Sequence, residues 1–298
     1  MKIASVTIYC NERFRLEAWK EYYAGYRDEL YLHVIVNNGD ASETAVLRES
    51  FPDSLILESP TRNMMASYNL ALRKILEDPE VDAIAQIVND IRLSPGCFSG
   101  LYGYLFSDPS LAMVSPVLLR KDSDIIDCYG CAIDPGNLDF IHCDAGRDRK
   151  DIPEGTRLVS GLPAGIFLAR RSLYEQFGIQ DERLEMYCDE VDMGIRVACM
   201  GYRLGATNRV QAWHQHVNPG EKKQRSPRAG FLMGRNQVYL ARKHGSGGKA
   251  FRVFAHRAFR GLDEIRSAVM HGKSKDHYQF GWAMVKGAFA GLLEKNRG

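Results

Sequence analysis

The chain has 298 residues, 45% hydrophobic and 26% charged, enough to bury one large core or one core with an appendage. Its net charge of +2 gives no global argument for a nucleic-acid partner. No stretch approaches the roughly 20 uninterrupted apolar residues that span a bilayer, and the opening MKIASVTIYCNE lacks the apolar run and cleavage site of a secretory signal. A cytoplasmic protein is the expectation, and seven scattered cysteines suit a reducing compartment better than a disulfide framework.

In chain order, KIASVTIYC reads as a β-branched strand, RLEAWKEYYAGYR as a helix, YLHVIVNNG as a second strand ending in turn residues and SLILES as a third. NMMASYNLALRKILED spaces Met65, Tyr68, Leu72, Ile75 and Leu76 for one helix face and is stopped by Asp78-Pro79. DAIAQIVND is the fourth strand. Strands alternating with helices imply right-handed crossovers and a mostly parallel sheet covered on both faces. Residues 122–157, rich in Asp, Gly and Arg, read as a long excursion. Within it Cys128 and Cys131 form a CxxC, and His142-Cys143 follows, placing four potential zinc ligands within sixteen residues. Adjacent His and Cys rarely serve one tetrahedral ion together, so ordinary buried thiols are expected. MYCDEVDMGIR places Asp189, Glu190 and Asp192 in four positions, consistent with the acidic first turn of a helix.

Ligands of such a sheet bind beyond the carboxyl ends of its strands. Three predicted strands end in polar turns there: Asn11-Glu12, Asn37-Asn38-Gly39-Asp40 and Asn89-Asp90. The chain lacks GxGxxG after its first strand and GxxxxGK[ST] throughout, which argues against a dinucleotide-dependent dehydrogenase and a P-loop enzyme. Phosphates bound at these turns need another source of positive charge, and a divalent ion held by Asp90 would supply it.

Taken in order, VTIYCNE, VIVNNGD, NMMASYNLAL, IVNDIRLSPG, VSGLPAGIFLARRSLYEQFG, DERLEMYCDEVDMGIRVACMGYRLG, AWHQHV and GRNQVYLARKH resemble the successive motifs of family-2 glycosyltransferases of the GT-A fold. The pattern is closest to bacterial rhamnosyl- and galactofuranosyl-type transferases. The resemblance implies an α/β GT-A domain over 1–218, with a nucleotide-binding half and an acceptor half around a mostly parallel sheet. A mobile basic loop and a helical C-terminal region would follow over 219–298.

The activity it implies is that of a metal-dependent, inverting hexosyltransferase that moves a sugar from a dTDP- or UDP-sugar to a lipid-linked or growing surface glycan. Tyr9, Asn11, Glu12, Asn37, Asn63, Asn69, Asn89 and Asp90 would bind the nucleotide sugar. Asp90 with His214, or His216 in its place, would hold Mn2+ or Mg2+. Gly161, Pro163, Ala164 and Gly165 would form a small-residue loop on the acceptor side. The catalytic base would be Glu190, with Asp189 as the alternative, because the family's Glu-Asp order is swapped here; Asp192 and Arg196 would be structural. Two further departures stand out. Val88 occupies the place of the first metal-motif acid, and Asn37 that of an acid that pairs with uracil. These departures motivate the competing reading of a non-catalytic nucleotide-sugar or glycan binding module. The basic, aromatic-rich helices after residue 228 suit peripheral contact with the inner face of a membrane, a packing appendage or a homodimer contact.

Overall fold

A computed structural model describes residues 1–215 and 226–294, the side chain of Phe177 excepted. The N-terminal half alternates as the hydrophobic pattern requires: β1 (Ile3–Tyr9), α1 (Leu16–Ala24), β2 (Leu32–Asn37), α2 (Glu43–Ser50), β3 (Leu55–Glu58), α3 (Met64–Leu76) and β4 (Ala83–Ile87). β1 pairs in parallel with both β2 and β4, and β2 pairs in parallel with β3. β2 and β4 are buried almost throughout, as expected of strands covered on both faces. The Asn63 side chain caps α3 by accepting from the Ala66 amide at 3.1 Å.

Then come β5 (Ile91–Leu93), α4 (Cys97–Ser107), β6 (Leu111–Arg120), β7 (Ile126–Cys128), β8 (Cys131–Ile133), β9 (Phe140–His142), β10 (Thr156–Val159) and β11 (Ile166–Arg170). They are followed by α5 (Arg171–Phe177), α6 (Asp189–Cys199) and β12 (Arg203–His214). The sheet runs β10-β12-β6-β11-β4-β1-β2-β3, with β5 and β7 added beside β12 and β6, while β8 and β9 form a separate ribbon. Most of its paired length is parallel, and β11 enters antiparallel between β4 and β6. Pro116, which cannot donate to a ladder, lies inside β6; there the register with β12 jumps between Thr207 and Gln211.

The last third is three helices, α7 (Pro227–Lys243), α8 (Gly247–Met270) and α9 (Lys275–Leu293). The backbones of α7 and α9 nearly touch: a Cβ on Gly234 would lie 2.3 Å from the Met284 carbonyl, and one on Gly287 2.1 Å from that of Phe231. Only glycine permits that approach. No helix among the described residues is long and apolar enough to cross a membrane.

The chain divides into two compact units. One comprises Met1–Ala132, His142–Arg183 and Met193–His216 and contains the sheet. The other comprises Ile133–Ile141, Leu184–Asp192 and Val217–Gly298, so the acidic motif belongs with the C-terminal helices.

Candidate active site

In the sheet unit, the turns after β1 and β2 are locked together. Asn11, at φ +55°, accepts from the Asp40 amide at 2.8 Å and donates to the Asp40 carboxylate at 3.0 Å. Gly39 makes this possible, since a Cβ there would fall 2.1 Å from Asn11 Oδ1. Asn37 is spent on the same turn, donating to the Asp40 carbonyl at 2.8 Å and to Thr44 Oγ1 at 3.0 Å while accepting from the Gly39 amide at 2.9 Å. The Tyr9 hydroxyl donates to Glu43 at 2.8 Å. Burial and that carboxylate hold the phenol above its usual range, so it remains a neutral donor.

Beside these turns, Asn89 donates to Glu12 at 2.6 Å. Asp90 and His214 are far apart in sequence and meet because His214 is in register with Ile91 on β5 and the Gln215 amide donates to the Asp90 carbonyl at 2.8 Å. His214 Nε2 is 3.3 Å from Asp90 Oδ1, Arg15 pairs with Asp90 Oδ2, and Asp127 lies 3.8 Å from His214 Nδ1. Asp90 is 8% exposed. Burial alone would raise its pKa, but His214 and Arg15 outweigh burial and hold the carboxyl well below the usual carboxylate range. Burial lowers His214, and Asp127 and Asp90 more than restore it, so its pKa is raised. A carboxylate oxygen and an imidazole nitrogen 3.3 Å apart suit two positions on one divalent ion, the remainder coming from phosphate and water. Val88 adds no ligand: its amide donates to the Gly165 carbonyl at 3.0 Å. His216 lies outside the described residues, as does most of the loop expected after residue 218.

The other expected donor-side residues brace the unit. Asn69 is fully buried, donating to the Gln180 carbonyl at 2.9 Å and Glu182 at 2.8 Å and accepting from the Gln180 amide at 2.8 Å. Asn63, besides capping α3, donates to the Glu182 carbonyl at 2.7 Å. On the acceptor-side segment, Gly161 and Pro163 are buried while Ala164 and Gly165 are partly exposed. The Ala164 carbonyl accepts from Gln86 at 2.8 Å, and a Cβ on Gly165 would come within 3.9 Å of His214 Cε1. The sequence therefore brings Gly165 to the Asp90–His214 pair.

In the helical unit, the chain reaches α6 through a loop with Glu185, Tyr187 and Cys188 at φ +59°, +69° and +64°. None is glycine, and each left-handed residue costs about 1–2 kcal/mol. Asn236 of α7 holds the loop: the two N–H groups of its fully buried side-chain amide are shared among the carbonyls of Leu184 and Met186 at 2.8 Å and of Tyr187 at 2.9 Å. Arg235 adds an ion pair to Glu185 at 2.8 Å. Asp192, 1% exposed, sits against Lys243 Nζ at 2.8 Å and His244 Nε2 at 2.6 Å. Arg196, farther along α6 and in the sheet unit, donates to the Ile179 carbonyl at 3.2 Å.

This scaffold carries Asp189 and Glu190. Burial pushes Asp189 up to about 6, with the Asp192 charge adding and a hydrogen bond from Glu190 opposing. Burial and then the Asp189 charge push Glu190 well above the usual carboxylate range. Burial and a neighbouring carboxylate's charge thus hold both carboxyls against ionisation, and the two titrate as a pair. A carboxylate lifted toward neutrality is suited to accept a proton from a hydroxyl.

Arg15, Asp127, Glu43 and Asn236 were not foreseen as site residues. Arg15 opens a segment that reads as a helix, Glu43 lies between two predicted strands in a stretch with no reading of its own, and Asp127 lies within an excursion. Asn236 carries a signal, being a polar residue between Leu232 and Tyr239 on the buried side of α7.

No family model and no curated protein matches the chain. Among solved structures it resembles GalNAc-T7 with UDP, GalNAc and Mn2+, at TM-score 0.66 and 11% identity over 97% of this chain; it spans 57% of that chain. It also resembles the mannosyltransferase PcManGT from Pyrobaculum calidifontis in complex with GDP-Man and Mn2+, at TM-score 0.58 and 15% identity, covering 99% of this chain and 88% of that one. The chain has the GT-A fold that these glycosyltransferases share.

Proposed function

We propose that the chain is an inverting glycosyltransferase moving a sugar from a dTDP- or UDP-sugar to a hydroxyl of a lipid-linked or growing surface glycan. The observation that carries this reading is the Asp189–Glu190 pair in the first turn of α6, both carboxyls raised above their usual range and reached through a strained loop that Asn236 pins. The fold and the strand-end turns supply its context.

In this reading the sheet unit binds the donor. The interlocked turns of Asn11, Asn37 and Gly39 present backbone groups to the nucleotide, and Glu12 orients Asn89. Asp90 and His214 would hold Mn2+ or Mg2+, which when bound neutralises charge on the departing diphosphate. Arg15, already on Asp90, is a fixed cation for the same charge. In the helical unit, the carboxylate of the Asp189–Glu190 pair takes the proton of the acceptor hydroxyl as the nucleotide diphosphate leaves and the configuration inverts. Proton transfer of this kind is worth about 10²–10⁴ in rate.

The exposed Phe251, Phe259, Leu262, Val269 and Met270 on α8, alongside Arg252 and Arg266, support peripheral contact with an anionic membrane, as a lipid-linked acceptor requires. A cytoplasmic location fits that surface. Two copies of α8 and α9 in contact would use the same residues, and sedimentation distinguishes this homodimer from a membrane-bound monomer.

The reading is tested by thermal shift with dTDP-, UDP- and GDP-sugars, with and without Mn2+, followed by donor hydrolysis with each ligand that binds. Metal-dependent stabilisation and turnover by a dTDP- or UDP-sugar are expected. Binding without turnover of any donor would instead identify a binding module.

A further inference from the structure

The excursion between β6 and β10 holds a cluster that donor chemistry does not use. Cys128 ends β7, Cys131 begins β8, and His142 ends β9, the strand paired with β8. One sulfur from each cysteine and one ring nitrogen of His142 all lie within 4.8 Å of one another. Both thiols are fully buried, while His142 is exposed. Gly130 makes the turn, at φ +69°, where a Cβ would come within 2.5 Å of Val159.

We infer that Cys128, Cys131 and His142 form a site for Zn2+ or a similarly soft divalent ion, separate from Asp90 and His214. The sequence pattern alone argues for ordinary buried thiols, because adjacent His142 and Cys143 rarely bind one ion together. The folded chain removes that objection, since His142 joins the two cysteines without Cys143. Two thiolates and an imidazole form a soft, nitrogen–sulfur donor set that favours zinc over Mg2+ or Mn2+. The sulfurs are 3.1 Å apart, too far for a disulfide of about 2.05 Å. Two sulfurs at about 2.3 Å from a tetrahedral ion stand roughly 3.8 Å apart, so metal entry requires them to separate by less than about 1 Å.

His142 Nδ1 lies 3.3 Å from the Asp127 carbonyl. A carbonyl only accepts, so this contact puts the proton on Nδ1 and the lone pair on Nε2, the arrangement by which metal-binding histidines are commonly oriented. Binding is a simple exchange: each thiol loses its proton to solvent, both sulfurs bond to the ion, the imidazole stays neutral, and the site with Zn2+ has no net charge. Nothing is oxidised or reduced. One position remains for water or another ligand.

The ion would fasten two parts of the donor-side unit. The Cys131 backbone exchanges hydrogen bonds with Gly161 at 2.9 and 3.0 Å, anchoring SGLPAG. Asp127 precedes Cys128 and lies 3.8 Å from His214. The inference does not depend on the glycosyltransferase reading, since metal content is measured without turnover.

The test uses the full chain expressed in zinc-supplemented medium and purified under reducing conditions without chelator. Elemental mass spectrometry should find about one zinc per chain, released by an organomercurial that titrates thiols. Cys128→Ser and His142→Ala should each lower zinc occupancy at least about fivefold, and Co2+ in place of zinc should give the sulfur-to-metal charge-transfer band of thiolate coordination. Should the variants fold poorly, mercurial release and the Co2+ spectrum of the wild-type chain still decide the matter. Three results overturn the inference: reduced protein that takes up neither zinc nor Co2+, zinc that persists undiminished in both variants, or a Cys128–Cys131 disulfide whose reduction yields no metal-binding protein.

Discussion

Replacing Asn236 by Ala tests whether α7 holds the acidic loop in its working shape. The Asn236 side-chain amide faces three carbonyls, and Arg235 also reaches that of Leu184, at 3.3 Å, so truncation leaves those of Met186 and Tyr187 without this donor. A buried carbonyl that loses its partner costs about 1–3 kcal/mol. Three left-handed non-glycine residues store a further ~3–6 kcal/mol, part of which is released if the loop relaxes, so a net loss of about 2–4 kcal/mol is expected. Asn236→Asp should be worse than Asn236→Ala, because it points carboxylate oxygens at carbonyl oxygens. Urea unfolding followed by circular dichroism measures the loss. In donor hydrolysis, kcat should fall about 10- to 100-fold with little change in donor KM, since displacement of a catalytic group by ~1 Å is costly. Both variants unfolding at the wild-type midpoint with wild-type kcat would refute the bracing role.

Three other outcomes follow from the same structure. Gly39→Ala forces a methyl into Asn11 and should cost about 1–3 kcal/mol while raising donor KM, as titration calorimetry with the nucleotide would show. His33 is fully buried against Ser5 at 2.6 Å, and burial lowers its pKa from 6.5 to about 3. Its folded-state pKa lies below the unfolded one, so stability is complete above pH 6.5 and declines as pH falls from there toward 3. At pH 4.5 the loss is about 3 kcal/mol, and His33→Gln should flatten the Tm–pH curve over that window. Flotation with vesicles rich in anionic lipid should carry the wild-type chain, and Phe251→Ser with Phe259→Ser should reduce the bound fraction several-fold.

The strands β1 to β4 and the helices α1 and α3 were legible as apolar runs and as helical spacing of apolar residues, whereas α2, with only Ala45, Val46 and Leu47 apolar, drew no reading. β6 was not legible, since Pro116 interrupts a run that is nonetheless buried almost throughout. β11, inside the acceptor-side motif, drew no reading as a strand, and its antiparallel pairing with β4 and β6 shows it as one. Asp90 was legible as a strand-end acid and the resemblance paired it with His214, but its contact with Arg15 depends on packing that local sequence does not encode. The acidic motif was legible as three carboxylates in one turn. That Asp189 and Glu190 are raised above the usual carboxylate range, while Asp192 serves Lys243 and His244, is set by burial and by α7, far along the chain.

The central claim is that the Asp189–Glu190 pair accepts the acceptor's proton. Its most direct test is the pH–rate profile of nucleotide-sugar hydrolysis for the wild-type chain, Asp189→Asn and Glu190→Gln. The wild-type rate should fall as pH drops through about 6, where Asp189 gains a proton. Each variant should lose at least about 100-fold in kcat with donor binding intact. Wild-type rates in both variants, or an acid limb unchanged by either, would contradict the account.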